Sequence, residues 1–134
     1  MLVRRKLFVY FLIAAWLMLS VQALFLAEPA QAAVIDVTAY GANGSDGNDD
    51  AGAIQSAINA ASPGDTVYFP AGNYIVNNSA ANGIALKSGV NLLGEDGATL
   101  TKTVRDRWIF DATDDSNITI ENLVFDGSVM KIYN

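Results

Sequence analysis

The sequence contains neither cysteine nor histidine, and each absence excludes a kind of protein. Without cysteine no disulfide can cross-link the chain, so its stability must come from packing and backbone hydrogen bonds. Without histidine the chain lacks the commonest general base and the commonest metal ligand. Basic residues are also few, with 8 Lys and Arg against 14 Asp and Glu. Such an acidic chain is a poor candidate for binding nucleic acid.

The first 32 residues follow the order of an export signal. Arg4, Arg5 and Lys6 form a basic start, residues 7–19 are continuously apolar, and residues 30–32 give the Ala-Gln-Ala pattern that signal peptidase reads. We therefore expect a signal peptide over 1–32, cleavage after Ala32 and a secreted or cell-envelope protein. The alternative is an uncleaved membrane anchor, because the apolar stretch is long enough to span a bilayer.

The remainder, residues 33–134, is long enough for one domain. Residues 49–61 carry small apolar side chains at helical spacing, and Asp49 or Asp50 can cap the N-terminus of the predicted helix. Short apolar runs separated by turn residues then predict strands. These runs are 34–37, 66–69, 73–76, 84–86, 90–92, 98–100, 108–110, 118–120 and 123–125.

Part of the chain repeats. Residues 89–94 align with 117–122 at an offset of 28, and 98–100 align with 123–125. Gly94 then falls on Asn122, and we expect left-handed backbone at both, because glycine and asparagine adopt it most readily. Three short strands per repeat are typical of one coil of a parallel β-helix. Two repeats leave open the alternative that strand-rich segments align by chance.

Several motifs resemble those of a known superfamily. They are Tyr-Gly-Ala at 40–42, Asp-Gly-x-Asp-Asp at 46–50 and Ala-Ile-Gln-x-Ala-Ile at 53–58, followed by the strand and coil sequences 64–74 and 116–127. With these motifs the chain resembles the pectate lyase superfamily, in particular its rhamnogalacturonase- and epimerase-like N-terminal regions. The resemblance implies an all-β solenoid, a right-handed parallel β-helix with an N-terminal α-helical cap. We expect residues 33–134 to be the cap and first coils, with the β-helix continuing beyond Asn134.

The resemblance also implies a function. Members of the superfamily act on acidic polysaccharide as lyases, glycoside hydrolases or epimerases, so a uronic-acid-containing polysaccharide is the expected partner. None of the superfamily's catalytic motifs is matched here, and we expect no catalytic residue within this chain and catalytic residues downstream of residue 134. The alternative is a non-catalytic β-helix surface or adhesive protein that binds glycans.

Two clusters are candidate binding sites. Asp111, Asp114 and Asp115 offer the hard oxygen ligands that calcium prefers, and a bridging calcium would let an acidic surface hold a uronate polymer. The alternative is a solvated turn, where aspartate bonds its own backbone. Arg105 and Arg107 beside Trp108 would hold a sugar acid, with arginine on the carboxylate and the ring under the sugar. The alternative there is a buried tryptophan with solvated arginines.

Overall fold

The computed structural model describes residues 31–77, 83–104, 108–127 and 130–131. The predicted signal peptide, apart from its last two residues, and both Arg105 and Arg107 lie outside the described residues. Contacts divide the chain into two compact units, Met1–Gln31 and Ala32–Asn134, and all elements below belong to the second. Within the described part, no helix is long and apolar enough to cross a membrane.

The described residues form one α-helix, a 3₁₀ turn and ten short strands. Helix α1 spans Ala51–Ala60, and the 3₁₀ turn spans Val37–Tyr40. The strands are β1 (Val34–Asp36), β2 (Thr66–Phe69), β3 (Gly72–Ile75), β4 (Ile84–Ala85), β5 (Asn91–Gly94), β6 (Ala98–Thr101), β7 (Phe110–Asp111), β8 (Ile120–Glu121), β9 (Val124–Asp126) and β10 (Met130–Lys131).

The strands are distributed in rotation over three parallel sheets. Sheet 1 has the order β1-β2-β5-β8, sheet 2 the order β3-β6-β9, and sheet 3 the order β10-β7-β4. Leu92 pairs with Ile120 and Leu100 pairs with Phe125, so the repeat seen in the sequence is a repeat of stacked coils. The chance-alignment alternative is therefore wrong, and the predicted parallel β-helix is confirmed.

The core lies inside the coils because strand residues alternate between inside and outside. Val67, Leu92 and Leu100 are fully or almost fully buried, whereas their neighbours along each strand are only partly buried. Phe69 and Tyr74 meet edge to face at 5.9 Å between ring centres. The hydroxyl of Tyr74 donates to the carbonyl of Pro70 at 2.9 Å, and burial raises the pKa of Tyr74 to about 12.

Helix α1 starts later than the sequence predicts, and the two aspartates just before it have different roles. The carboxylate of Asp49 accepts the N–H of Ala51 at 3.1 Å, as a residue at a helix start does. Asp50 occupies the N-cap position, yet its side chain caps nothing and instead accepts the N–H of Asn43 at 2.7 Å. The side chains of Ile54, Ala57 and Ile58 form the buried face of the helix.

The expectation for Gly94 is wrong, whereas that for Asn122 is confirmed. Asn122 has left-handed backbone, with φ of 53°, but Gly94 is not among the residues with positive φ. The left-handed pair at the 28-residue offset is instead Gly89 and Asn117, with φ of 76° and 56°. Gly94 is glycine for lack of space, since a Cβ atom there would lie 2.3 Å from the carbonyl oxygen of Asn122.

Candidate functional site

The outer face of sheet 1 carries a shallow groove that crosses three coils. It has a volume of about 260 Å³ and is lined by Thr66, Asn91, Leu92, Leu93, Thr119 and Glu121. Thr66 pairs with Asn91 across β2 and β5, and Thr119 directly precedes β8. Strands in a sheet lie about 4.8 Å apart, so these three polar side chains form a row at that repeat.

The groove keeps hydrogen-bonding groups that the described protein does not use. The Oδ1 atom of Asn91 accepts the N–H of Thr119 at 3.0 Å, which fixes the amide and leaves its NH₂ group facing outward from that bond. Elsewhere the coils pair their polar groups with each other. The hydroxyl of Thr101 donates to Asn73 at 2.5 Å, and Asn77 bonds both the side chain and the backbone of Thr103.

The charges around the groove are acidic. None of its lining residues is basic, and Glu121 is an acid at one end. Next to the groove, Tyr68 pairs with Leu93 across β2 and β5. Partial desolvation and the neighbouring Glu95 carboxylate both raise the pKa of Tyr68, so its phenol stays protonated at neutral pH. The face therefore offers hydroxyl, amide and acid groups, a set suited to the hydroxyls of a sugar.

The three aspartates predicted as calcium ligands do not converge. Asp111 accepts the N–H of Thr113 at 3.0 Å, and Asp115 accepts both the N–H and the hydroxyl of Ser88, at 2.9 and 2.8 Å. Asp114 has left-handed backbone, with φ of 63°. In the described ranges, no group of three acidic side chains is placed to hold a metal ion. Asp111 bonds within its own turn, as the alternative interpretation expects, whereas Asp115 bonds Ser88 of the neighbouring coil.

Only one residue of the predicted sugar-acid site can be placed. Trp108 is 41% exposed and precedes β7, so the alternative of a buried tryptophan is not what the structure shows. Its backbone stacks on Gly83, where a Cβ atom would lie 2.6 Å from the Trp108 carbonyl oxygen. Because Arg105 and Arg107 fall outside the described residues, the site as a whole stays a prediction.

Sequence reasoning missed the groove on sheet 1. Thr66, Asn91 and Thr119 are unremarkable turn and strand residues when they are examined one at a time. The available signal was the repeat itself, because Asn91 and Thr119 occupy the same position at the 28-residue offset. Placing Thr66 in the same row required the register between β2 and β5, which the repeat did not cover.

Three parallel sheets around one core, each with one strand from every coil, define a β-helix protein. Comparison with known proteins identifies its family. Residues 34–133 match the family model for rhamnogalacturonase A/epimerase, pectate lyase-like proteins. The match extends over most of the chain. The chain therefore belongs to this family.

The curated relatives are mannuronan C5-epimerases of Azotobacter vinelandii. AlgE2 is 37% identical over an alignment of 108 residues, which covers 69% of this chain and 11% of that protein. AlgE1 is 42% identical over an alignment of 83 residues, which covers 58% of this chain and 6% of that protein. The chain thus spans only a small part of the length of these relatives.

Solved structures with the same arrangement include an epimerase module and a viral protein. The A-module of the mannuronan C-5 epimerase AlgE6 from Azotobacter vinelandii superposes with a TM-score of 0.60 at 28% identity, covering 73% of this chain and 30% of that one. ORF18 of Geobacillus virus E2 also gives a TM-score of 0.60, at 27% identity, with coverage of 70% and 21%. Both share the fold of the coils described above.

Proposed function

We propose that this chain is the exported N-terminal part of a protein that acts on uronic-acid polysaccharide as an epimerase, lyase or hydrolase. The observation that carries the proposal is the family match over 34–133, with mannuronan C5-epimerases among the relatives. In this proposal residues 33–134 serve as the cap and first coils of the β-helix, and the reacting groups lie in other coils.

The packing of helix α1 supports the role of a cap. The side-chain amide of Gln55 donates to the carbonyl of Ala85 at 3.0 Å and accepts the N–H of Ala85 at 2.8 Å. A neighbouring strand would make the same two bonds, and β4 is the end strand of sheet 3. The helix thereby closes an edge that would otherwise expose unpaired backbone.

The C-terminal end of the same helix is also tied to the coils. The ammonium group of Lys87 donates to the carbonyl of Ala61, just after α1, and lies 3.4 Å from the carbonyl of Asn59. A cation at a helix C-terminus compensates the last unpaired carbonyls and the negative end of the helix dipole. The middle and the C-terminal end of helix α1 are therefore both bonded to the coil that begins with β4.

The chemistry of the described residues supports a scaffold rather than a catalytic centre. The groove on sheet 1 has hydroxyl and amide groups for sugar hydroxyls, but Glu121 and the absence of basic lining residues disfavour a uronate carboxylate there. Asp46, the carboxyl of the turn motif, has its pKa held below the usual range by hydrogen bonds from the backbone and side chain of Asn48. It is thus a poor proton donor near neutral pH.

A segment exchange tests this role directly. Residues 33–134 would replace the matching segment in the A-module of AlgE4, another mannuronan C-5 epimerase of Azotobacter vinelandii, of which the chain covers 31%. We expect the chimera to fold and to epimerise polymannuronate, measured by the appearance of guluronate signals in proton NMR. The control is the same module with the segment deleted, which should be unfolded and inactive. A chimera that fails to fold while the parent module folds would refute the scaffold role.

The rival class, a non-catalytic glycan-binding surface protein, is separated by a second measurement. The exported protein, at whatever length the cell produces it, would be incubated with polymannuronate and with polygalacturonate. Epimerisation, unsaturated ends or new reducing ends support the enzyme. Retention on the polymer without any of these products supports the surface protein.

A further inference from the structure

The backbone nitrogen of Ala33 lies on a carboxylate. It donates to the Oδ1 atom of Asp65 at 2.7 Å, across 32 positions of sequence. Ala33 is also the residue that the signal-peptide pattern makes the first of the mature protein. An internal amide and a mature N-terminus would therefore occupy the same place, opposite the same acid.

Asp65 is held rigidly in that position. Its second oxygen accepts the N–H of Ser62 at 2.7 Å, and its own N–H donates to the carbonyl of Ser62 at 2.9 Å. The pKa of Asp65 is lowered, first by the hydrogen bond from Ala33 and then by that from Ser62, with a smaller contribution from the charge of Lys87. Because its pKa is lowered, this carboxylate is charged at neutral pH, and it is already positioned to bind a cation.

Ala33 is fixed as well, by the start of sheet 1. Its carbonyl accepts the N–H of Thr66 at 2.9 Å, and the next residue, Val34, pairs with Thr66 as the first rung between β1 and β2. The described residues 31–34 are all exposed, so a chain that starts at Ala33 loses no buried contact there. This rung holds the carbonyl end of Ala33 beside the turn that carries Asp65.

We propose that Asp65 is the docking site for the mature N-terminus, and that export processing converts the Ala33–Asp65 hydrogen bond into an ion pair. Hydrolysis of the Ala32–Ala33 peptide bond adds one water, leaving a carboxylate on Ala32 and an ammonium group on Ala33. The new charge forms at the atom that already donates to Asp65. The pair fixes β1, the outermost strand of sheet 1, to the turn before β2. The inference rests on the export part of the proposed function and is independent of the reaction catalysed.

The sign of the pH dependence follows from the two partners. Asp65 raises the pKa of the terminal amine above its ordinary value of about 7.7–8.0, so the amine stabilises the fold below that pH, and the stabilisation is lost as pH rises through the raised value. Asp65 has a lowered pKa, so its own contribution is lost only in acid, as pH falls below the ordinary aspartate value. Lys87 is the other described charge that acts on Asp65.

The experiment uses the exported protein in four forms. Wild type and Asp65→Asn are each compared with the same protein acetylated at the α-amine near pH 6.5, where lysines are protonated. Acetylation keeps an N–H donor and removes the charge. At pH 7 it should lower the folding equilibrium constant of wild type by about two- to fivefold, the range of partly exposed ion pairs, and that of Asp65→Asn much less. The difference in wild type should vanish above about pH 10, where the amine is neutral.

The outcomes separate this inference from the proposed function. N-terminal sequencing that finds Ala33, together with the coupling to Asp65, supports the inference. If acetylation has the same effect in wild type and in Asp65→Asn, the docking site is refuted while export stands. A membrane-retained product that starts at Met1 refutes export and the docking site together, but it leaves the segment exchange with AlgE4 untouched.

Discussion

At the scale of single residues, Asp50 has a buried carboxyl group that is only partly hydrogen-bonded in the described part of the protein. The residue is only 4% exposed, and its Oδ2 atom has no hydrogen-bond partner among the described residues. Burial raises the pKa of Asp50, with smaller contributions from the charges of Asp46 and Asp49, while the bond from the Asn43 N–H opposes the shift. Ionising this carboxyl therefore costs stability.

That cost has a defined pH dependence. Because the folded-state pKa of Asp50 lies above the ordinary value of 3.8, the folded protein binds more protons between the two values than the unfolded chain does. Relative to Asp50→Asn, the wild type should lose stability as pH rises through the raised pKa and should change no further above it. The measurement is denaturant unfolding of both proteins from pH 3 to 8. A wild type that keeps or gains stability relative to Asp50→Asn as pH rises would contradict this account.

Gly94 illustrates a glycine required by close packing. A Cβ atom at Gly94 would collide with the backbone of Asn122 in the next coil, whereas a Cβ atom at Gly52 on helix α1 would meet nothing within 4 Å. We expect Gly94→Ala to destabilise the fold by about 1–3 kcal/mol, as overpacking does. Gly52→Ala should be neutral or stabilising by up to about 1 kcal/mol, because alanine favours the helix. Thermal unfolding of both variants checks the pair, and similar losses in both would argue against the collision.

At the scale of elements, helix α1 bonds the backbone of β4 through one side chain, Gln55, in the way that a neighbouring strand would. Replacing Gln55 with Ala removes both bonds to Ala85 and leaves that backbone edge unpaired. We expect a loss of roughly 1–3 kcal/mol, since each neutral hydrogen bond contributes about 0.5–1.5 kcal/mol. The control is Ser56→Ala, which removes only an exposed bond to the carbonyl of Gly52 inside the helix. Its cost should stay within about 0.5 kcal/mol.

Hydrogen exchange gives a second measurement at this scale. The amide of Ala85 should exchange faster in Gln55→Ala, because its acceptor is gone, while the amide of Leu86, which donates to the carbonyl of Asp111 at 2.8 Å, should change less. Protection of Ala85 that is unchanged in the variant would show that the helix does not close the edge of sheet 3.

At the scale of the whole molecule, the prediction concerns activity. Residues 33–134 alone should show no turnover on pectate, polygalacturonate, rhamnogalacturonan or alginate, because the chain has no histidine and we expect the catalytic residues downstream of residue 134. The assay follows unsaturated ends, reducing ends and uronate epimerisation against a mock-purified control. Any of these products above that control would place catalytic groups within this chain.

The coil architecture could be predicted from the sequence because a β-helix repeats. Each coil must present apolar residues inward at equivalent positions, so Val90 and Leu92 recur as Ile118 and Ile120 with no knowledge of the fold. Helix α1 could also be predicted, because small apolar residues at helical spacing form one apolar face and indicate an amphipathic helix. The ends of the strands were harder to predict. β1 ends at Asp36 because that carboxylate accepts the N–H and hydroxyl of Thr38, a local bond that competes with the ladder.

What only the tertiary structure decided are the contacts between coils. The repeat aligned Gly94 with Asn122, but the sequence could not show that Gly94 packs against the Asn122 backbone, and no pattern in it marks Gln55 as completing β4. No sequence pattern places Ala33 on Asp65 or adds Thr66 to the row of Asn91 and Thr119. The sequence determined which residues face inward, since burial depends on side-chain type and period. Stacking register determined which outward groups meet, and register is a property of the folded chain.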